Sequence, residues 1–424
     1  MTHHFRYVSL FLALALLLST GAVATVAQVE DDPNAEQINQ IIEDTAELRG
    51  LEIIDPIDVT VMTREEFQGQ NIEMLEEDYS PEDREADYRT LRAFGVIEEG
   101  TDLGEALGDV QGDGVLGYFD FLTQELVVIR DEPEAELTAM EELTLAHEVV
   151  HALQEQHFDA DLLFDLESGD ASLAARSLAE GDAVSLEIEY LMSQPDMLPA
   201  LQAEFEEMGD IEAELYGDAP PFIVNSLYVP YEYGEPFVQA ILEEGGWEAL
   251  NAVYDNPPAS TAQVMHPELY LDGVEPVEMS VVDPSEVLGE EWTEFDNDVA
   301  GEAMALLFLT DGDPALDEAT AASAAEGWRG DRYVVSGTED ETVLVWATTW
   351  ASEADALEFA ETFAPREEER HNATTTGALE DGELQLDGED MNGLIRVDDS
   401  EVHYIMAPDL EAVDLLDTGD PAEE

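Results

Sequence analysis

His147-Glu148-Val149-Val150-His151 sets two imidazoles four residues apart, with a carboxylate next to the first. The surrounding stretch, Leu137 to Phe158, contains neither Pro nor Gly and reads as one long helix. Helical spacing of four brings both rings to one face, where they can share a single zinc ion. Glu148 then stands beside them, placed to accept a proton from an activated water. The competing reading is a histidine pair on an ordinary helix. Cysteine is absent, so neither a thiolate site nor a disulfide is possible, and any metal must be held by His and carboxylates. The chain has eight His: His3, His4, His147, His151, His157, His266, His371 and His403. His157 lies six residues after His151, off the shared face, and reads as structural or supporting.

A catalytic zinc takes three protein ligands and leaves one position for water. Glu180 is the candidate third ligand, on a helix expected from Asp170 to Met192 that can return antiparallel to the first. The loop between them runs from about Leu163 to Gly169. Glu187, seven residues further on, lies close to the same helical face and is the rival.

The segment Glu180-Gly181-Asp182-Ala183 resembles the Glu-Gly-x-Ala setting of the third ligand in several gluzincin metallopeptidases. The resemblance extends to a group of uncharacterised secreted prokaryotic (haloarchaeal) zincin-like proteins. It is carried by the pentad with its continuation Ala152-Leu153-Gln154-Glu155-Gln156-His157-Phe158, and by Gly117-Tyr118-Phe119-Asp120 upstream. Downstream it is carried by Gly245-Gly246-Trp247, Pro257-Pro258-Ala259-Ser260-Thr261, His266-Pro267 and Gly327 to Tyr333, so that it covers most of 35–365. The 28 residues between His151 and Glu180 exceed the gap typical of better-known gluzincins. The resemblance implies zinc held by His147, His151 and Glu180, with Glu148 as general base and a peptide or protein as substrate. It also implies that the strand Glu125 to Ile129 borders the cleft, an edge to which an extended peptide can add. Peptide hydrolysis further needs a donor for the developing oxyanion. His266, Tyr233 and Tyr231 are the candidates, against a turn role for His266 and core packing for the tyrosines.

The elements that must position these residues form an α+β pattern. Helices are expected over Ala35 to Arg49 and Pro81 to Phe94, with strands at Ile57 to Val61, Gly117 to Asp120 and Glu125 to Ile129. Pro220-Pro221 breaks the chain before an aromatic-rich segment holding Tyr228, Tyr231, Tyr233 and Trp247. Acidic, irregular sequence near 272–298 suggests a boundary, so that a zincin-like domain at 28–290 precedes a small α+β domain at 291–416. In the latter, strands are expected at Arg332 to Val335, Val343 to Thr349, Leu394 to Val397 and Val402 to Met406, with a helix at Glu353 to Phe363. An acidic tail, 417–424, follows.

Composition bounds the setting. The chain carries 13 basic and 103 acidic residues, a formal net charge of -90, and every basic residue is arginine. Such self-repulsion threatens a compact state at ordinary ionic strength. Molar salt shortens the screening length to about 3 Å and makes the charge tolerable. With 45% hydrophobic residues a core can form, which argues against disorder. The acidity argues against nucleic acid and anionic lipid heads as partners, since both need basic patches. Residues 1–27 read as an export signal, with Arg6, the apolar stretch Val8 to Leu18 and the small residues Ala22-Val23-Ala24. An uncleaved N-terminal membrane anchor is the alternative. These readings describe a secreted or surface-exposed halophilic zinc hydrolase of the peptidase type. The rivals are a non-catalytic surface protein whose zinc is closed by a fourth ligand, His157 or His266, and an acidic surface-layer component without zinc.

Overall fold

A computed structural model describes residues 33–419, apart from 122, 131, 133–134, 165, 209–218 and 390. The expected export segment, 1–27, lies outside the described residues. Among those described, no helix is long and apolar enough to cross a membrane. The chain is an α+β protein in which helices pack on two separate sheets.

Helix α1 (Ala35–Arg49) buries Ile38, Ile41, Ile42 and Ala46 on one face and ends where Gly50 turns left-handed at φ 74°. A three-stranded sheet follows from β1 (Asp58–Met62), β2 (Gly117–Asp120) and β3 (Glu125–Ile129), in the order β1-β3-β2. β1 runs parallel to β3 and β2 antiparallel to it. β3 is therefore the central strand and not an edge, because β1 pairs with the side that an added peptide would need. Both β3 and β2 lie against the histidine helix, and β2 is the one with a free edge among the described residues.

Between the strands lie α2 (Arg64–Asp78), α3 (Pro81–Phe94) and α4 (Leu103–Gly114). Then come α5 (Ala139–Phe158), α6 (Gly169–Ser193), α7 (Met197–Met208) and the long α8 (Pro221–Val253). α8 leaves helical geometry at Gly245 and Gly246. Short helices α9 (Thr261–Met265), α10 (Pro267–Leu271) and α11 (Pro284–Leu288) lead to the second sheet.

That sheet has seven strands: β4 (Thr293–Asp298), β5 (Trp328–Gly337), β6 (Thr342–Trp350), β7 (Thr374–Ala378), β8 (Glu383–Asp387), β9 (Asn392–Asp398) and β10 (Glu401–Ala407). Their order is β4-β5-β6-β10-β9-β8-β7, every pair antiparallel. Helices α12 (Gly301–Thr310), α13 (Glu318–Ala325), α14 (Glu353–Arg370) and α15 (Leu410–Thr418) accompany it. The last helix takes in the first two residues of the expected tail.

The large sheet begins close to the boundary expected near 290, yet one hydrophobic core crosses that line. Leu91 and Phe94 of α3, Leu107 of α4, Phe222 and Leu227 of α8, and Phe308 of α12 join Trp328, Tyr333 and Trp346 of the sheet. Phe94 stacks on Phe308 at 4.0 Å and meets Tyr333 and Trp346 edge-on. Two arginines of α14 complete the junction. Arg366 donates to Phe94 O and Arg370 to Ala93 O, satisfying carbonyls that the end of α3 leaves open.

Candidate metal centre

Helix α5 starts on a capping box, in which Thr138 and Glu141 satisfy each other's backbone N–H groups. Its middle, Leu145 to Gln154, is buried on every side. A helix enclosed in this way fixes its polar side chains as firmly as its apolar ones. β2 lies over it so closely that a Cβ on Gly117 would stand 2.9 Å from Val127 O and 3.5 Å from Glu148 Cγ.

The second wall is α6 crossing α8, and here two glycines set the distance. A Cβ on Gly181 would lie 2.2 Å from Gly234 O, and one on Gly234 would lie 2.1 Å from Ser177 O. With no side chain at either position, the two backbones touch. Glu180 of α6 and Tyr231 of α8 thereby reach the same place.

There His147 Nε2 lies 3.1 Å from His151 Nε2 and 3.1 Å from Glu180 Oε2, while His151 Nε2 is 3.5 Å from that same oxygen. The three ligand atoms form a group able to hold a metal ion. The opposite ring nitrogens are engaged elsewhere. His147 Nδ1 meets Glu187 Oε1 at 3.1 Å, and His151 Nδ1 meets Gln154 Oε1 at 2.9 Å. Both partners are acceptors, so each ring carries its proton on Nδ1 and turns the Nε2 lone pair towards the other ring. Two lone pairs and a carboxylate oxygen facing one another repel unless a proton or a metal cation lies among them. The residues fit a metal ion.

The electrostatics agree. Burial opposes charge on His147, but Glu187 and Glu180 outweigh it, and the ring is pushed well above its usual range. His151 is raised too, against burial, chiefly by Glu180. Glu180 is half-buried, which raises it, yet the two rings hold it well below the usual carboxylate range. A field that favours a proton on the rings also favours a metal cation between them. Glu148, less than a tenth exposed, is raised first by burial and then by Glu180 and Glu187, against the two histidines.

Of the candidate donors, Tyr231 joins this group. Its ring stacks on His147 at 6.2 Å and 26°, and its phenol interacts with the Glu180 carboxylate. Tyr233 is two residues along the helix, so it points the other way and packs between two hydrophobic clusters. His266 caps α9, where its Nε2 meets Glu302 Oε1 at 2.6 Å. Tyr233 and His266 thus share the surroundings of Glu302, and no contact among the described residues ties either to the histidine pair. His157 Nε2 bonds Glu52 O and also stays apart. Neither His157 nor His266 supplies a fourth ligand. The sequence reading missed Gln154, although its place three residues after His151 on one helix was a usable signal.

The family model for a domain of unknown function (DUF8575) matches residues 287–417, which takes in the seven-stranded sheet and none of the ligand-bearing helices. No curated protein matches the chain, and no solved structure does.

Proposed function

We propose that the chain is a zinc-dependent hydrolase that cleaves peptide bonds. One observation carries this reading: two imidazole Nε2 atoms, with their protons held on the far side, converge with Glu180 beside a buried Glu148. Bound zinc supplies Lewis acidity and brings the pKa of water down to about 7. Among the described residues no hydrogen bond accounts for the burial of Glu148, and its raised carboxyl suits it to take a proton from attacking water. Tyr231, in place of the expected Tyr233 and His266, is the phenol positioned to donate to a developing oxyanion. β2 lies beside Glu148 and is the strand along which an extended peptide would lie. The rival with a closed structural site needs a fourth ligand, and both of its histidines are committed elsewhere.

The test is Glu148→Gln, which keeps size and removes the proton acceptor. Zinc content and helix signal are expected to survive. Cleavage of a mixed pool of unfolded peptides in molar salt, read by mass spectrometry, is expected to fall by about 10²–10⁴. A Gln variant as fast as the wild type sinks the mechanism.

A further inference from the structure

The motif Glu180-Gly181-Asp182-Ala183 contributes a ligand through Glu180 and a helix contact through Gly181. Asp182 remains to be explained. It is fully buried and receives Arg49 Nε at 2.7 Å on one oxygen. The other oxygen receives Arg49 Nη2 at 3.0 Å and the Tyr254 hydroxyl at 2.7 Å. Arg49, the last residue of α1, is fully buried as well, with its guanidinium 4.4 Å above the Trp247 ring. A buried ion pair is weak evidence for stability, because desolvation offsets most of its attraction. Its placement here points to another task.

Asp182 also faces Gln154. The Gln154 amide nitrogen donates to Ala179 O at 2.9 Å and to Asp182 Oδ2 at 3.2 Å. Both are acceptors only, so the nitrogen end of the amide must face them. Its oxygen is left facing His151 Nδ1 at 2.9 Å, and an oxygen there requires the ring proton on Nδ1. The Nε2 lone pair is thereby aimed at His147 and Glu180. Gln154 is fully buried, so no water is at hand to satisfy a flipped amide.

We propose that Asp182, clamped by Arg49, is a positioning residue that sets the Gln154 amide and through it the tautomer of His151. The inference rests on the metal-centre reading above and adds three residues, Arg49, Gln154 and Asp182, as the device that keeps one ligand in its binding form. Outer partners of this kind change metal affinity by about 10–100-fold.

Asp182→Asn tests it with almost no change of shape. With its charge gone the side chain holds Arg49 and the Gln154 nitrogen less firmly, so the Gln154 amide is free to turn its nitrogen towards His151 and the ring proton can move to Nε2. In metal-free protein with ¹⁵N-labelled histidine, at alkaline pH and in molar salt, the wild-type His151 is expected as the Nδ1–H tautomer. In Asp182→Asn the Nε2–H form should appear, and competition with a chelator should show zinc binding weaker by about 10–100-fold, with helix content unchanged. Gln154→Leu carries the same test should the Asn variant fail to fold: it removes the acceptor, and zinc binding should weaken to a similar degree. A wild-type His151 in the Nε2–H form overturns the inference, and so does wild-type zinc affinity in both variants. A wild-type chain that shows the Nδ1–H form but binds no zinc overturns the hydrolase reading, while the positioning device stands.

Discussion

Glu180 and Glu187 both reach His147 and take different nitrogens, which separates two carboxylates that helical spacing alone leaves equivalent. Glu180 meets Nε2, where the ligand atoms converge, and Glu187 orients the ring from Nδ1. Glu180→Ala should therefore abolish zinc retention through dialysis. Glu187→Ala should keep the ion but weaken it by about 10–100-fold in chelator competition. Equal retention in the two variants would remove Glu180 from the centre. The histidine pair and Glu148 were legible because a spacing of four has one meaning inside an unbroken helix. Tyr231 and Tyr233 were not separable in the same way. Pro230, Gly234 and Pro236 interrupt their segment, and nothing in the sequence says that the helix continues through them with its phase intact.

At the scale of elements, breakers misled and polar helices went unread. α8 persists through Pro230 and Pro236, carried by buried contacts of Phe222, Phe237, Val238 and Ile241. α2 has no strong apolar face and α4 is rich in glycine, so neither announces itself. The Gly181–Gly234 contact depends on two residues 53 positions apart and could be read only as an isolated helical glycine. Gly181→Ala should drive a methyl group into Gly234 O, lower stability by about 1–3 kcal/mol and disturb the Tyr231–His147 stack. Unchanged denaturation in molar salt would show that the helices do not meet as described. A second element-scale device joins helix starts to one another. Asp298 accepts from Gly169 N, Asp170 from Thr261 N, and Asp331 from Ala300 N and Gly301 N. Burial pushes Asp170 up to about 7 and Asp331 up to about 6, with neighbouring Asp298 and Asp331 adding to the effect at Asp170. A carboxyl raised on folding contributes stability that is complete below its ordinary value and lost as pH rises through the folded value. The thermal midpoint should thus fall between about pH 4 and pH 7, and Asp170→Asn should flatten that fall by removing the titrating group. A variant that keeps the wild-type slope would exclude Asp170 as its source.

For the whole molecule the question is where so few cations go. Arg49, Arg130 and Arg366 are among the largest fully buried side chains. Arg64, Arg84, Arg92 and Arg329 give N–H groups to backbone carbonyls, and Arg370 binds Ala93 O together with buried Glu367. These arginines are thus committed to backbone carbonyls and buried partners, which leaves few, such as Arg89 with Glu85 and Arg396 with Glu383 and Asp417, to offset carboxylates on the surface. Sequence counting already placed the net charge at -90, but not this allocation, which depends on long-range contacts such as α14 against α3. Repulsion among surface carboxylates must then be screened from outside. The screening length is about 3 Å in molar salt and about 10 Å at 0.1 M, so dilution lets each carboxylate feel several more neighbours. Helix content followed by circular dichroism should fall as salt is lowered from about 1 M to about 0.1 M. Sodium and potassium chloride should protect equally at equal ionic strength, because screening depends on charge and not on the identity of the ion. Sucrose, which strengthens burial by exclusion without screening charge, should protect far less. Full protection by sucrose in dilute buffer would mean that weak burial is the cause. A chain equally folded at both salt concentrations would mean that the acidic surface sets no salt requirement at all.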